Sequence, residues 1–497
     1  MNNKSSEYKN IFKSTFLFGF VQIFNILTKV LLNKAAAVFL GSEGIGLIGI
    51  LQSISEMLKT FFGLGISQSA VRDISKANTD EDKKEFSTVI TTTHKVISVT
   101  AIIGFVFTIL FSSLLSKWSF GDESYGYAFI LLSLVILLNI LVDGQLGILK
   151  GMRQLRALAK ATIFGSFFGL FFGVPFYYFL KNDGIVPTLL IVAISSIIFS
   201  TYYVKKIDYE KVNLSLKETF YKSSNMIKMG IALMFVTFTG MISEYIIKIY
   251  ISNSTDLSTV GIYQAGLTIV SGYFSIVIIA MMTDYYPRIS GVHDNNDKLK
   301  EELNRQVKVG LILITPLIVI FMFVMHIFVE LLYSKEFLYS VDYMRYAIFW
   351  TLIIVVSNPI DMILIAKQNT KVFLVVTLFY RIIGTILSIY CFYTYELSGL
   401  GVAMLLMAII HIILMQSIMY KLYSIVIDSK SLKIFIVSIV LTVCSFFLSD
   451  MNNIYLKYLS GLIIVLVTFL YSLKQFNEVT NLNLLDFFKS KLKRNKC

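Results

Sequence analysis

Residues 125–149 read YGYAFILLSLVILLNILVDGQLGIL, and this stretch decides the class of fold. It contains a single charge, Asp143, and the chain becomes basic directly after it, beginning with Lys150 and Arg153. An α-helix rises about 1.5 Å per residue, so about 20 apolar residues cross a hydrocarbon layer about 30 Å thick. The stretch therefore predicts a membrane-spanning helix that ends at a basic face.

The rest of the chain repeats this pattern. Of its 497 residues, 56% are hydrophobic and 15% are charged, and the mean hydropathy is +0.73. Soluble domains carry about 25% charged residues, so this chain has too few polar residues to cover a water-facing surface. Apolar stretches long enough to cross a bilayer predict about fourteen helical spans. They cover residues 12–39, 45–70, 88–115, 125–149, 159–180, 185–204, 224–251, 258–284, 307–329, 339–365, 372–393, 397–420, 432–448 and 454–473.

The lysines and arginines orient these spans. If the N-terminus is cytoplasmic, most of the 44 basic residues fall in inside segments, and only Lys117, Lys181, Lys335 and Lys457 fall outside. Cytoplasmic loops of membrane proteins carry such an excess. We therefore expect a multi-pass protein of the bacterial cytoplasmic (inner) membrane with both termini in the cytoplasm. The net charge of +13 reflects topology and does not indicate nucleic-acid binding.

Motifs for enzymatic chemistry are missing from the sequence. It has no P-loop, GxSxG or HExxH motif, and its three cysteines lack the spacing of a metal site. The loops are too short to fold a domain with its own core. We expect no cofactor, no metal and no catalysis, and we expect function to reside within the spans.

An internal repeat divides the chain. A shift of 215 residues aligns Gly46 with Gly261 without gaps. Two lobes related by pseudo-symmetry would explain the match, and transporters are often built in this way. We expect six-helix lobes at 1–212 and 213–425, followed by two extra spans and a basic cytoplasmic tail at 426–497. Chance similarity between apolar hairpins is the alternative.

Polar side chains follow one face of several predicted spans. In the first span, for example, Gln22, Asn25 and Lys29 stand at i, i+3 and i+7, which places them on one helix face. Charges within spans are costly and usually face a bundle interior or a wet cavity. We therefore expect a hydrated cleft, lined by a set of residues from the first, second, seventh and eighth spans. The set is Gln22, Asn25, Lys29, Gln52, Glu56, Lys59, Glu244, Lys248 and Gln264.

Ion pairing is the alternative reading of the charged members. Glu56 and Lys59 are three residues apart, and Glu244 and Lys248 are four apart, so each pair could neutralise itself along its helix. The final two spans contain no interior charge and are expected to pack outside the lobes.

Further titratable residues within the predicted spans include Arg381, Asp361, Asp143 and His411. Arg381 is deep and has no carboxylate three or four residues away, which suits a phosphate ligand or a pairing with Asp361 of the adjacent span. Asp143 is expected to cap a helix or pair with a loop cation. His411 stands alone on an apolar face of its predicted span, and a satisfied structural role is expected for it.

Three stretches resemble a known family. They are LGSEGIGLIGILQ at 40–52, VGIYQ at 260–264 and YPRIS at 286–290. The sequence over about 10–425 is similar to O-antigen repeat-unit flippases (Wzx-type translocases) of the multidrug/oligosaccharidyl-lipid/polysaccharide exporter (MOP) superfamily. The resemblance implies an all-α protein whose two lobes enclose a V-shaped cavity and alternate between inward-open and outward-open states.

The resemblance also implies a substrate. It would be undecaprenyl-pyrophosphate-linked oligosaccharide, flipped to the outer leaflet for lipopolysaccharide or another surface polysaccharide. Membrane lipids, a polysaccharide polymerase and a chain-length regulator are the implied partners, and proton or sodium coupling is an option. The expected roles fall into three groups. Cations for pyrophosphate are Lys29, Lys59, Lys248 and Arg381; sugar contacts are Gln22, Asn25, Gln52 and Gln264; groups for ion coupling or ion pairs are Glu56, Glu244 and Asp361.

Three alternatives stay open. A lipid II flippase and a multidrug/cation antiporter share the superfamily, although a cationic lumen argues against the antiporter. A membrane glycosyltransferase or polymerase would need a large outside loop with catalytic residues, which the sequence lacks.

Overall fold

The computed structural model describes residues 2–79, 83–210 and 212–480, except for the side chains of 2–20, 22, 23, 283 and 480. Within these ranges the protein is helical and contains no strand. The predicted all-α fold class is confirmed. The chain forms two compact units, one comprising Met1–Gly261 and Leu332–Ser334, the other Ile262–Leu331 and Lys335–Cys497.

The first unit is built from long helices joined by short turns. Gly41 adopts φ 69° and ψ −166° and breaks α1 into two halves, a conformation that a residue without Cβ adopts at little cost. The helices, in chain order, are α1 (Asn2–Gly63), α2 (Ile66–Thr79), α3 (Lys83–Leu110), α4 (Ser112–Phe120), α5 (Gly126–Gly151), α6 (Leu155–Leu180), α7 (Ile185–Val204), α8 (Leu216–Lys222), α9 (Ser224–Ser254) and the start of α10 (Leu257–Leu267).

The second unit continues from the rest of α10. A π-helical segment at Thr268–Tyr273 follows α10, and α14 is broken at Tyr395 and Glu396, where Glu396 has φ 50°. Its helices are α11 (Ser275–Ser290), α12 (Asn296–Leu332), α13 (Ser340–Ala366), α14 (Thr370–Tyr423), α15 (Ser429–Leu448) and α16 (Ile454–Thr480).

Eleven helices of the described chain are long and apolar enough to cross a membrane. Three of these contain an internal break: at Gly41, at the 3-10 turn Lys181–Gly184, and at Tyr395 and Glu396. Each break falls between two of the fourteen predicted spans, which explains the smaller number. The count of fourteen and the cytoplasmic termini stay predictions.

Small residues allow close helix packing in the first unit. On α6, Gly165, Gly169 and Gly173 recur every four residues and face α7. A Cβ at Gly169 would lie 3.1 Å from the Cα of Val192, so a larger residue would push the helices apart. Without a strong hydrophobic drive inside lipid, helices associate through such close approach.

The two glycines aligned by the sequence repeat lie side by side in the first unit. A Cβ on Gly46 would lie 1.9 Å from the Leu257 carbonyl oxygen, and a Cβ on Gly261 would lie 1.9 Å from the Ser42 carbonyl oxygen. Beside them, the hydroxyls of Ser42 and Ser258 are 2.5 Å apart. We call these five residues the glycine crossing. At the glycine crossing, the backbone of the second half of α1 packs directly against the backbone at the start of α10.

The boundary of the first unit differs from the predicted lobe boundary. The unit ends at Gly261 and not at 212, because α9 packs against α1 and α2. The closest approach is at Gly65, where an added Cβ would lie 2.3 Å from the carbonyl oxygen of Gly230. The division into functional lobes stays a prediction.

Candidate functional site

The polar face of the first half of α1 is partly accessible. Lys29 is exposed, and Asn25 is half-buried and accepts a hydrogen bond from the Ser166 hydroxyl at 3.1 Å. Within the described residues Lys29 forms no ion pair, so its ammonium is available to a ligand. The side chain of Gln22 lies outside the described residues.

The second half of α1 carries a charged triad. The Lys59 ammonium lies 2.6 Å from Glu56 Oε2 and 3.3 Å from Asp143 Oδ2. The prediction for Asp143 was wrong, because α5 turns this carboxylate toward Lys59 and not toward a loop cation. Gln52, one turn before Glu56, is exposed. The triad has two carboxylates for one ammonium.

A small cavity opens beside the triad. Its volume is about 200 Å³, and its lining includes polar side chains from four helices of the first unit. The polar lining residues are Glu56, Lys59, Thr60, Ser67, Gln68, Asp143 and Thr237. The cavity therefore provides both charge and neutral hydrogen-bonding groups within a set of apolar helices.

Lys248 of α9 is the most buried cation of the predicted set. Its side chain is 2% exposed, and its ammonium lies 2.6 Å from Glu244 Oε1 and donates to the Ser53 hydroxyl at 2.7 Å. A longer hydrogen bond, 3.5 Å, reaches the Gly49 carbonyl. The partner Glu244 is 46% exposed, so solvent reaches the acid while the base is enclosed.

Ion pairing is thus present at both positions where the sequence offered it as an alternative. Glu56 and Lys59 pair at i, i+3, and Glu244 and Lys248 pair at i, i+4. Together with Asp143, the first unit holds three carboxylates against these two lysines. Of the four candidate cations, Lys29 and Arg381 are therefore the two without an ion pair among the described residues.

One of the two readings offered for Arg381, its pairing with Asp361, is wrong. Arg381 is exposed, with its guanidinium 5.8 Å from the Tyr380 ring centroid, and in the described chain it forms no ion pair with Asp361. Asp361 Oδ1 instead lies 3.5 Å from His411 Nε2, with side chains 18% and 11% exposed. His411 thus has an acidic neighbour from α13, and its structural role stays a prediction. Predicting the Asp361–His411 pair would have required knowledge of how α13 and α14 pack together. The spacing of residues along the sequence does not give this.

Gln264 of the second unit lies next to a π-helical segment. Its amide donates to the Thr268 hydroxyl at 3.2 Å, and its side-chain oxygen is buried without a hydrogen-bond partner among the described residues. Thr268 begins the π-helical segment. Such bulges often occur at functional sites, and sequence reasoning gave no signal for this one.

Comparison with solved structures shows which fold this is. The structure entitled "Lipid II flippase MurJ, inward closed conformation" superposes with a TM-score of 0.72 at 16% identity, covering 94% of this chain and 99% of that one. An inward-facing multidrug resistance MATE family transporter of the MOP superfamily gives 0.64 at 15% identity, covering 79% and 94%. A MOP superfamily transporter from Pyrococcus furiosus gives 0.53 at 14% identity, covering 82% and 95%. The chain therefore has the fold of MurJ and MATE transporters.

The sequence comparisons identify the family. No curated protein matches the sequence significantly. The model of one protein family matches residues 35–342, more than half of the chain, and its description is "Polysaccharide biosynthesis protein". The matched residues include the glycine crossing, the charged triad and Lys248. This multi-pass membrane protein belongs to the polysaccharide biosynthesis protein family.

Proposed function

We propose that this protein flips undecaprenyl-pyrophosphate-linked oligosaccharide repeat units from the cytoplasmic to the outer leaflet of the inner membrane. The product would serve O-antigen or other surface polysaccharide synthesis. The observation that carries the proposal is the combination of a polysaccharide biosynthesis family with a transporter fold. A chain of this kind contributes to a polysaccharide by moving a precursor.

The polar side chains give the proposal its physical basis. A pyrophosphate with sugars loses its hydration in the bilayer unless side chains replace that water. Lys29 in the first unit and Arg381 in the second, neither of them ion-paired among the described residues, would each offer charge to a phosphate, and Arg381 has a planar fork of donors. Asn25, Gln52 and Gln264 supply amides for sugar hydroxyls. The polyprenyl chain can remain in lipid throughout.

The paired lysines suit a substrate that exchanges with carboxylates. Glu56 and Glu244 are about half exposed, so a pyrophosphate could compete with them for Lys59 and Lys248 without first being buried. A displaced carboxylate would then be free to take up a proton. Such an exchange would link substrate binding to proton uptake, and substrate release to loss of that proton.

The lipid II flippase is the second candidate. The match to MurJ leaves uncovered 6% of 497 residues, about 30, which is fewer than the 20 and 27 residues of α15 and α16 together. The resemblance therefore extends into the final pair of helices. The charged triad also supports the antiporter alternative, because it carries more carboxylates than cations.

Reconstitution tests the proposal and separates these candidates. The purified protein in liposomes should move an undecaprenyl-pyrophosphate-linked oligosaccharide between leaflets, measured as the fraction open to a membrane-impermeant lectin. We expect Lys29→Ala and Arg381→Ala each to slow this movement about tenfold, because each removes a charge-assisted contact to phosphate. Lys117→Ala, an exposed lysine outside the site, is the matched control.

Each contrary outcome has a meaning. Movement of lipid II but not of the oligosaccharide carrier would replace the proposal by the second candidate. Export of a cationic dye alone would identify an antiporter. Equal rates for both variants and the control would show that neither cation contacts the substrate.

The Asp361–His411 pair is our proposed coupling site. A carboxylate that faces an imidazole at 3.5 Å in a mostly buried site offers two neighbouring groups, either of which can take up a proton. Asp361→Asn should abolish the response of flipping to an imposed pH gradient while leaving slow equilibration intact. Asp342→Asn, an exposed change on the same helix, should retain the response. An undiminished response in Asp361→Asn would refute the assignment.

A further inference from the structure

The second unit contains a large open cavity away from the residues discussed above. It lies between the first turns of α12, the start of α15 and the last turns of α16, and its volume is about 1110 Å³. All three elements lie on the side predicted to be cytoplasmic. We call it the α12/α15/α16 pocket. A cavity of this size accommodates a lipid head group with room for water.

Four cations of the pocket have no carboxylate partner. Lys300, Arg305, Lys430 and Lys433 line the cavity, and in the described chain none of them forms an ion pair. A fifth cation, Lys308, is held 2.9 Å from Asp428. Together with Lys308, the lining holds five cations against four carboxylates, so the pocket carries a small net positive charge that favours an anion.

The pocket also carries acceptors. Asp297, Glu301 and Glu478 line it, and none of the three pairs with a cation in the described chain. Glu478 accepts a hydrogen bond from the Gln475 amide at 3.2 Å. A ligand with hydroxyl groups beside its negative charge could bind the cations through that charge and the carboxylates through its hydroxyl groups.

The frame of the pocket is fixed by buried hydrogen bonds. Asn304 is 4% exposed; its side-chain oxygen accepts from the Asp428 backbone N–H at 2.7 Å, and its amide donates to the Val426 carbonyl at 3.3 Å. About three turns further on in each helix, Thr315 donates to Ser438 at 2.9 Å within the buried α12–α15 contact. The link between α14 and α15 is therefore clamped against α12.

An apolar track leads away from the charged end. Ile434, Ile436 and Val437 of α15 line the pocket. Ile436, Val440 and Val443 then follow at i, i+4 and i+7, which keeps them on one helix face. Their exposures are 51%, 53% and 37%, values that suit side chains facing lipid. Acyl chains could lie along this track.

We propose that the α12/α15/α16 pocket binds an anionic glycerophospholipid of the phosphatidylglycerol type. Its phosphodiester contacts the four unpaired cations, its glycerol hydroxyls donate to Asp297 and Glu301, and its acyl chains follow Ile436 and Val440. Basic pockets between helices at the cytoplasmic surface recognise anionic head groups in this way. The proposal does not depend on the substrate of the flippase.

Native mass spectrometry of the detergent-purified full chain tests this site. Phosphatidylglycerol, phosphatidylcholine and inorganic phosphate are the probes, each added at matched concentrations. The unmodified protein should retain phosphatidylglycerol in preference to phosphatidylcholine. Lys430→Gln/Lys433→Gln should lower its retention about tenfold, because two phosphate contacts are lost. Lys160→Gln/Lys205→Gln removes two exposed lysines on the same predicted side and should change nothing.

Three results would overturn the proposal. Equal retention in the pocket variant and the control variant would show that the lipid binds elsewhere. Equal retention of phosphatidylglycerol and phosphatidylcholine would show that the head-group charge is not recognised. Displacement of the lipid by inorganic phosphate at millimolar concentration would indicate a simple anion site. Because the variants replace exposed side chains, a loss of folding is not an expected complication.

Discussion

Replacing Gly46 by valine is expected to prevent α1 and α10 from meeting at the glycine crossing. The new Cβ would lie 1.9 Å from the Leu257 carbonyl oxygen and 3.1 Å from the Gly261 backbone nitrogen. Both obstacles are backbone atoms, so rotation of a side chain cannot relieve the overlap. We expect a loss of about 3 kcal/mol or more of stability, at the upper end for overpacked sites.

A cysteine pair reports directly whether α1 and α10 meet at the glycine crossing. The Ser42 and Ser258 hydroxyl oxygens are 2.5 Å apart, so Ser42→Cys/Ser258→Cys should form a disulfide on mild oxidation. Adding Gly46→Val should abolish this cross-link and lower the thermal unfolding midpoint. The matched control is Gly63→Val in the same helix, since a Cβ there meets no atom within 4 Å among the described residues. A cross-link that survives Gly46→Val would contradict the expected separation.

Glu244→Gln should destabilise the protein more than Lys248→Met, although the two residues form one ion pair. Lys248 is 2% exposed and Glu244 is 46% exposed. Removing the acid leaves a buried ammonium without a counter-charge, which typically costs about 3 kcal/mol or more. Removing the base leaves an acid that water solvates, and methionine fills the space of the lysine stem. The double variant should be close to Lys248→Met in stability.

Thermal unfolding of the four proteins, combined with the flipping assay, separates structure from transport. A stable but inactive Lys248→Met would show that the ammonium contacts substrate. A stable and active Lys248→Met would make the pair purely structural. Glu56→Gln is the internal comparison and should cost less, because Asp143 still lies 3.3 Å from Lys59. Equal losses for Glu244→Gln and Glu56→Gln would contradict the argument from burial.

Local spacing predicted the fold class and part of the site. The break in α1 at Gly41 falls in the gap between the first two predicted spans, because the apolar run of the first span ends just before this glycine. The Glu56–Lys59 and Glu244–Lys248 pairs lie along single helices, so their separation in sequence was sufficient to anticipate them.

Contacts between distant helices were not predictable in this way. Asp143 reaches Lys59 from α5, and His411 reaches Asp361 from α14. Each depends on which helices pack together and at what rotation, and a single sequence contains no measure of either. For the same reason, the sequence could not show that Arg381 is exposed and forms no ion pair with Asp361 in the described chain.

The clamp at Asn304 has a consequence for any attempt to shorten this protein. The final two helices look dispensable by sequence, since they hold no interior charge. A stop codon after Val426 would nevertheless remove the Asp428 N–H that donates to the Asn304 side-chain oxygen, which would lose its hydrogen-bond partner. Thr315 would lose Ser438 but keep its hydrogen bond to the Leu311 carbonyl. A version without the final two helices would therefore need Asn304 replaced by an apolar residue of similar volume.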